Sequence, residues 1–207
     1  MDIIGILVLV ISFFFLLVVG VPVAYSIGVA GILTMLVNID SLPALTTYAM
    51  RMASGLDSFA LLAIPFFILA GNIMNSGGIA LRLIDFAKVL VGRLPGGLAV
   101  VNVVANMLFG AISGSAAAAA SAIGSIMTPE MKKAGYDPNF SAAVNISSAT
   151  TGMTIPPSNV LIVYSLASGG VSVSALFMAG YLPGILTGVA IMIVAAMFAA
   201  RKGYPVG

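Results

Sequence analysis

The sequence predicts an all-α protein that crosses a membrane several times, and three observations carry that reading. Of 207 residues, 61% are hydrophobic and only 7% charged, against roughly a quarter charged in ordinary soluble domains. The mean hydropathy is +1.20. The fourteen charges also leave long empty runs: none falls between Asp2 and Asp40, from Gly96 to Thr128, or between Asp137 and Arg201. So few charges cannot cover a water-facing surface, which excludes a soluble globular fold. Histidine and cysteine are both absent, which removes disulfides, thiolate chemistry, histidine catalysis and the usual zinc ligands. With a net charge of +2 and no basic block, nucleic-acid binding has no electrostatic footing. At roughly 20 apolar residues per crossing, the length admits about half a dozen spans.

The first charge-free run would make a helix of about 55 Å, far longer than a hydrocarbon core of about 30 Å. Gly20-Val21-Pro22 breaks it, because proline suits the first turn of a new helix. Two helices are expected, Ile3–Val19 and Val21–Val37. The first has no positive leader before it and does not read as a signal peptide, and counting crossings puts the N-terminus outside. Ser41–Asp57 mixes Thr46, Thr47, Arg51 and Ser54 with Leu42, Leu45, Met50 and Met52, the pattern of a helix lying at the interface. Residues 1–57 thus form scaffold helices with an interfacial arm.

Residues 58–95 hold an apolar crossing, Phe59–Asn75, and a second interfacial helix, Ile79–Leu94. There Arg82, Asp85 and Lys88 stand three residues apart, the spacing of i,i+3 ion pairs on a wet face. The uncharged segment 96–131 admits one long span or a hairpin whose arms meet near Ser113. The positive-inside rule favours the hairpin, since Arg82, Lys88 and Arg93 precede it and Lys132 and Lys133 follow it. Gly114 supplies the turn.

Segment 138–168 is a span interrupted by Thr150-Thr151-Gly152-Met153-Thr154-Ile155-Pro156-Pro157. Two consecutive prolines cannot continue an α-helix. Ser168-Gly169-Gly170 turns the chain, and 173–202 returns it to Arg201 and Lys202. Seven of the eight basic residues then share one face; Arg51 is the exception. Irregular backbone costs several kcal/mol per unsatisfied group in hydrocarbon, so it survives where it lines a cavity or is buried in protein. The broken span offers carbonyl and hydroxyl oxygens suited to a hard cation such as sodium. Its second helix, expected to start at Pro157, offers a positive end suited to a carboxylate. The tip at Ser113-Gly114-Ser115 has the same equipment. Close packing accounts for Ser-Gly-Ser alone and a simple kink for Pro-Pro alone. Their occurrence in consecutive segments favours function. Gly180, Gly184 and Gly188 read as a helix-packing ridge. Asn72, Asn102, Asn106 and Asn145 are polar at membrane depth, either satisfying neighbours or lining the cavity.

Six motifs carry a family resemblance. Ala60-Leu61-Leu62-Ala63-Ile64-Pro65-Phe66-Phe67-Ile68-Leu69-Ala70-Gly71-Asn72-Ile73-Met74, Ser76-Gly77-Gly78-Ile79 and Pro95-Gly96-Gly97-Leu98 are followed in order by Ser113-Gly114-Ser115-Ala116, Ile155-Pro156-Pro157-Ser158 and Leu176-Phe177-Met178-Ala179-Gly180-Tyr181-Leu182-Pro183-Gly184. Together they resemble the large membrane (M) subunit of tripartite ATP-independent periplasmic (TRAP) transporters of the bacterial inner membrane. The resemblance implies an elevator-type ion-transporter fold of two inverted repeats, of which this chain looks like the first. It implies sodium as coupling ion, with ligands among Ser113, Gly114, Ser115, Thr150, Thr151, Gly152 and Thr154. The substrate, an organic acid of the C4-dicarboxylate or sialic acid class, would lie near Ser115, Pro156, Pro157, Ser158 and Asn159. Segments Gly71–Asn75 and Ala143–Asn159 resemble the sialic acid members. The implied partners are a small four-helix membrane subunit (Q), a periplasmic substrate-binding protein (P) and the second half of the M subunit. No organic cofactor and no transition metal are implied.

Two other classes compete. An intramembrane protease would need histidine or two buried aspartates, and neither is present. A pore-lining or structural subunit without sodium coupling is the remaining alternative, since an irregular segment also suits a pore.

Overall fold

The computed structural model describes residues 3–57 and 59–205; Met1 and Asp2, the leader expected before the first helix, lie outside them. Among the described residues there are ten α-helices and no strand. They fall into two units, Met1–Ser58 and Phe59–Gly207.

The first unit holds α1 (Ile3–Val18), α2 (Val23–Asn38) and α3 (Ser41–Leu56). The second helix begins two residues later than expected, because Gly20 takes a left-handed φ of 91° and Pro22 stands at the N-cap rather than inside the first turn. Small residues let the helices approach: a Cβ on Gly5 would lie 2.6 Å from Asn38 Nδ2, and one on Gly28 2.9 Å from Tyr48 Oη. Each of α1 and α2 has 16 residues and spans about 24 Å. That is a few ångströms short of the hydrocarbon core, a mismatch that local thinning accommodates. The surface is apolar: Val18 is 87% exposed and Ile3 77%, a surface suited to lipid or to further membrane-embedded protein rather than to water.

The second unit comprises α4 (Phe59–Ser76), α5 (Ile79–Val91), α6 (Gly97–Ser113), α7 (Ala116–Lys133), α8 (Pro138–Ala149), a 3-10 turn (Thr150–Met153), α9 (Asn159–Ala167) and α10 (Val173–Lys202). By length and composition α10 is the one described helix that makes a complete span unaided. Its core is built by α5, α6, α7, α8 and α10 around Ile84, Val101, Phe109, Ile123, Met127 and Met131.

Helices α6 and α7 form the hairpin, joined at Gly114 with a φ of 62°. Both outer ends lie at one end of the unit. There Gly96 abuts Ala199 of α10 so closely that a Cβ would overlap it. The Tyr136 phenol donates to Pro205 O at 3.0 Å, and the Tyr204 phenol accepts from Asp137 N at 3.1 Å. Stacking of Tyr136 on Tyr204 and of Phe140 on Phe198 closes the cluster. Burial pushes the Tyr136 phenol above its ordinary value of 10.0, so it remains a neutral donor. This end carries Lys132, Lys133, Arg201 and Lys202, the clustering anticipated from the charges. The hairpin arms, about 25 Å long, put the tip far from it.

The expected i,i+3 ion pairs on α5 do not form. Lys88 instead reaches across to α7, with Nζ 2.9 Å from Glu130 Oε2, and this is the one ion pair among the described residues. Packing of α5 against α7 brings the Glu130 carboxylate within reach of Lys88. Both side chains are more than a third exposed, so screening keeps the pair weak. Lys88→Ala is expected to cost less than about 1 kcal/mol in a detergent melting experiment.

Candidate ion and substrate site

Two interrupted elements meet at Gly114. A Cβ there would lie 3.2 Å from Pro157 O, 3.3 Å from Asn159 N and 3.4 Å from Asn159 Cγ. One turn down the arm, a Cβ on Gly110 would lie 2.4 Å from Gly152 Cα. Hairpin and broken span therefore touch backbone to backbone, and glycine on both sides makes that possible. Gly71 of α4 closes on Ser113 from another side, its Cβ position 3.2 Å from Ser113 Cβ.

Four helix ends converge on this contact. The C-terminal end of α6 (Ser113) and that of α8, drawn out by the 3-10 turn to Met153, present carbonyl oxygens. The N-terminal ends of α7 and α9 present N–H groups. Ser115 caps α7, its Oγ accepting from Ala118 N at 3.3 Å, and Ser158 caps α9, accepting from Leu161 N at 3.4 Å. The restart at Asn159 corrects the expected start at Pro157: Ser158 takes the N-cap, and Pro156 and Pro157 stay outside the helix.

The anticipated residues divide in this geometry. Gly114, Pro157 and Asn159 come together, Ser113 and Ser115 flank them, and Gly152 seats against the arm below. Thr151 is 1% exposed and donates to Ser148 O at 2.6 Å; its oxygen keeps acceptor capacity. Thr150 is exposed and donates to Ser147 O at 2.7 Å. Thr151 O accepts from Thr154 N and Ile155 N, so not every carbonyl at the break is free, as the sequence had suggested. Ser158 is fully buried and its hydroxyl donates to Met153 O; it braces the break and has no proton to offer a carboxylate. Pro156 lies under α10, where a Cβ on Gly180 would sit 3.5 Å from Pro156 Cγ and 2.6 Å from Thr154 O. The glycine ridge thus packs on the broken span itself, with Gly184 against Ile155.

Two features were not anticipated. Asn159 Oδ1 is buried beside Gly114 without a hydrogen-bond partner, which places an acceptor oxygen where the sequence suggested a carboxylate contact. Deeper in, Asn106 Nδ2 lies 2.7 Å from Asn102 Oδ1, 3.0 Å from Asn145 Oδ1 and 2.9 Å from Ser148 Oγ. Asn145 also donates to Ala120 O at 2.9 Å. This network ties α6, α7 and α8 together beneath the tip. Four asparagines in the sequence were its visible trace; their partners were not.

No group of three or more acidic residues able to hold a metal occurs among the described residues. The oxygens at the contact are neutral carbonyl, hydroxyl and amide oxygens, a donor set suited to a hard monovalent cation.

The family model described as "Tripartite ATP-independent periplasmic transporter, DctM component" matches residues 10–207. An uncharacterized protein of Salmonella typhimurium, YgiK, is 60% identical over 94% of the chain and 45% of that protein. The C4-dicarboxylate TRAP transporter large permease protein of Vibrio cholerae is 44% identical over 92% of the chain and 42% of its own length. A sialic acid TRAP transporter large permease protein from the same organism is 40% identical over 91% and 44%. The chain spans less than half the length of these curated relatives.

Proposed function

The chain belongs to the DctM component family of the tripartite ATP-independent periplasmic transporters, and on that premise we propose that it forms one half of a sodium-coupled site for an organic acid. The family is one of transporter permeases rather than enzymes. The observation that carries the reading is the meeting of four helix ends at Gly114. Two C-terminal ends offer oxygens to a cation, and two N-terminal ends offer N–H groups to a carboxylate. We assign the sodium ligands among Ser113, Gly114, Ser115, Thr150, Thr151, Gly152 and Thr154, and add the orphaned Oδ1 of Asn159. The carboxylate is assigned to the N–H groups opening α7 and α9, beside Ser115, Pro157 and Asn159. Ser158 supports this end from within.

Identity to the C4-dicarboxylate and sialic acid permeases is nearly equal, and an isethionate permease protein of Oleidesulfovibrio alaskensis is 43% identical. The group those substrates share is an acid anion, carboxylate or sulfonate, which favours an acid anion as what this half recognises. A second half of the permease completes the site in this reading, moving by an elevator-type mechanism in the bacterial inner membrane. A small membrane subunit and a periplasmic binding protein, the other components of a tripartite system, deliver the acid.

Reconstitution of the complete three-component transporter in liposomes tests this. Uptake of a C4-dicarboxylate or of sialic acid is expected to saturate and to require an inward sodium gradient. Uptake indifferent to sodium, or a conductance that never saturates, favours the pore reading instead. Replacing Pro156 and Pro157 together by alanine lets the span run on as one helix. Uptake is expected to fall by about tenfold or more while the amount inserted stays the same; unchanged uptake would remove the broken helix from the mechanism. The tenfold figure corresponds to about 1.4 kcal/mol of lost site geometry.

A further inference from the structure

A groove between α8 and α10 lies outside the candidate site. Its volume is about 430 Å³, and Phe140, Val144 and Ser147 line it from α8 while Ala190, Val194 and Phe198 line it from α10. Its walls are almost wholly apolar, and Val194 and Phe198 are about half exposed, so it opens outward rather than into the core. From Thr187 to Phe198 it runs about 17 Å along the helix, close to half of a hydrocarbon core of about 30 Å. It therefore has the depth of one leaflet.

One end is chemically distinct. The stripe Ala190, Val194, Phe198 steps by four residues, and the next step is Lys202, with Arg201 beside it; both are exposed. On the facing wall the groove ends at the N-terminal turn of α8, which begins at Pro138 and presents its positive dipole end. The Tyr204 phenol accepts from Asp137 N, leaving its own proton to donate. Asp137 is the acidic group at this mouth, and its carboxylate accepts from Phe140 N at 3.0 Å, which turns it toward the helix end.

We propose that this groove holds one acyl chain of an anionic phospholipid, with the phosphate held by Arg201, Lys202 and the Tyr204 hydroxyl. An apolar slot one leaflet deep suits a chain, and the basic rim selects the headgroup. Two basic residues near a membrane surface favour an anionic lipid by about 30-fold. The inference requires only that the protein lies in a bilayer and does not depend on sodium coupling.

Native mass spectrometry of the full-length permease, with phosphatidylglycerol and phosphatidylcholine of identical chains, tests it. One equivalent of phosphatidylglycerol is expected to survive dissociation, with about 30-fold preference over phosphatidylcholine. R201Q/K202Q should bring that preference close to unity, whereas D137N, which keeps the N-cap, should raise it. A190W fills the groove and should release the bound lipid; V194F narrows it less, gives a partial loss, and serves if A190W fails to fold. Retention of phosphatidylglycerol by both groove variants at the wild-type level would overturn the proposal. So would an undiminished preference in R201Q/K202Q, or no lipid on the wild type, the result expected if another part of the permease covers the groove.

Discussion

Gly110→Ala is expected to reduce uptake by the reconstituted transporter by about tenfold or more while the protein still inserts. The new Cβ would lie 2.4 Å from Gly152 Cα. Both partners are backbone, so no side chain can swing aside, and the hairpin arm must move off the 3-10 turn. Overpacking of this kind costs about 1–3 kcal/mol, which at 1.4 kcal/mol per decade spans about one to two orders of magnitude. The displacement falls one turn from Gly114, where the four helix ends meet. Gly152→Ala should behave alike, since its Cβ would lie 2.4 Å from Gly110 Cα. The double variant should cost less than the two losses added, because one separation relieves both clashes. Gly55→Ala, with nothing within 4 Å of the added Cβ, is the matched control. Initial uptake rates in liposomes read the effect. Wild-type uptake by Gly110→Ala would mean that contact between tip and broken span plays no part in transport.

Asn106→Leu is expected to destabilise the second unit by about 3 kcal/mol or more. The amide Nδ2 has two protons to share among Asn102 Oδ1, Asn145 Oδ1 and Ser148 Oγ, so the substitution withdraws two donated bonds, and each buried group left unsatisfied costs about 1–3 kcal/mol. Asn102, Asn106 and Ser148 are fully buried, so water offers no replacement without opening the interface. Ser148→Ala removes a single partner and should cost about 1 kcal/mol. For a unit of this size the larger change lowers the melting midpoint by about 6 °C or more. Thermal unfolding in detergent checks both, and a shift of Asn106→Leu no greater than that of Ser148→Ala would deny the network its joining role.

The element plan was legible because bilayer and proline chemistry write it into composition. The gap between Arg93 and Lys132 admits one long span or a hairpin, and only the hairpin keeps both basic clusters together; the structure has a hairpin. The two prolines announced a break because neither donates an N–H. What escaped were features set by partners distant in sequence. Lys88 has Asp85 one turn away, yet chooses Glu130, forty-two residues on. The restart at Asn159 was within reach, since Ser158 is a good N-cap, but Pro157 offered an equally familiar start. The asparagines could be counted but not connected, since their bonds depend on how α6 lies against α8. The glycine ridge on α10 was visible as a packing stripe; that it presses on Thr154 and Ile155 needed the fold.

One consequence follows from the chemistry of the contact at Gly114. Its elements, from Gly97 to Thr128 and from Pro138 to Ala200, contain no residue that ionises near neutral pH. A transporter that exchanges protons needs a group whose protonation state changes during the cycle, and the segments that meet at Gly114 contribute none. Under the proposed sodium coupling, the charge moved is set by how many cations accompany each anion, a stoichiometry readable as current. Under that reading, any acid–base step in the cycle is carried by the transported acid itself or by residues outside these segments.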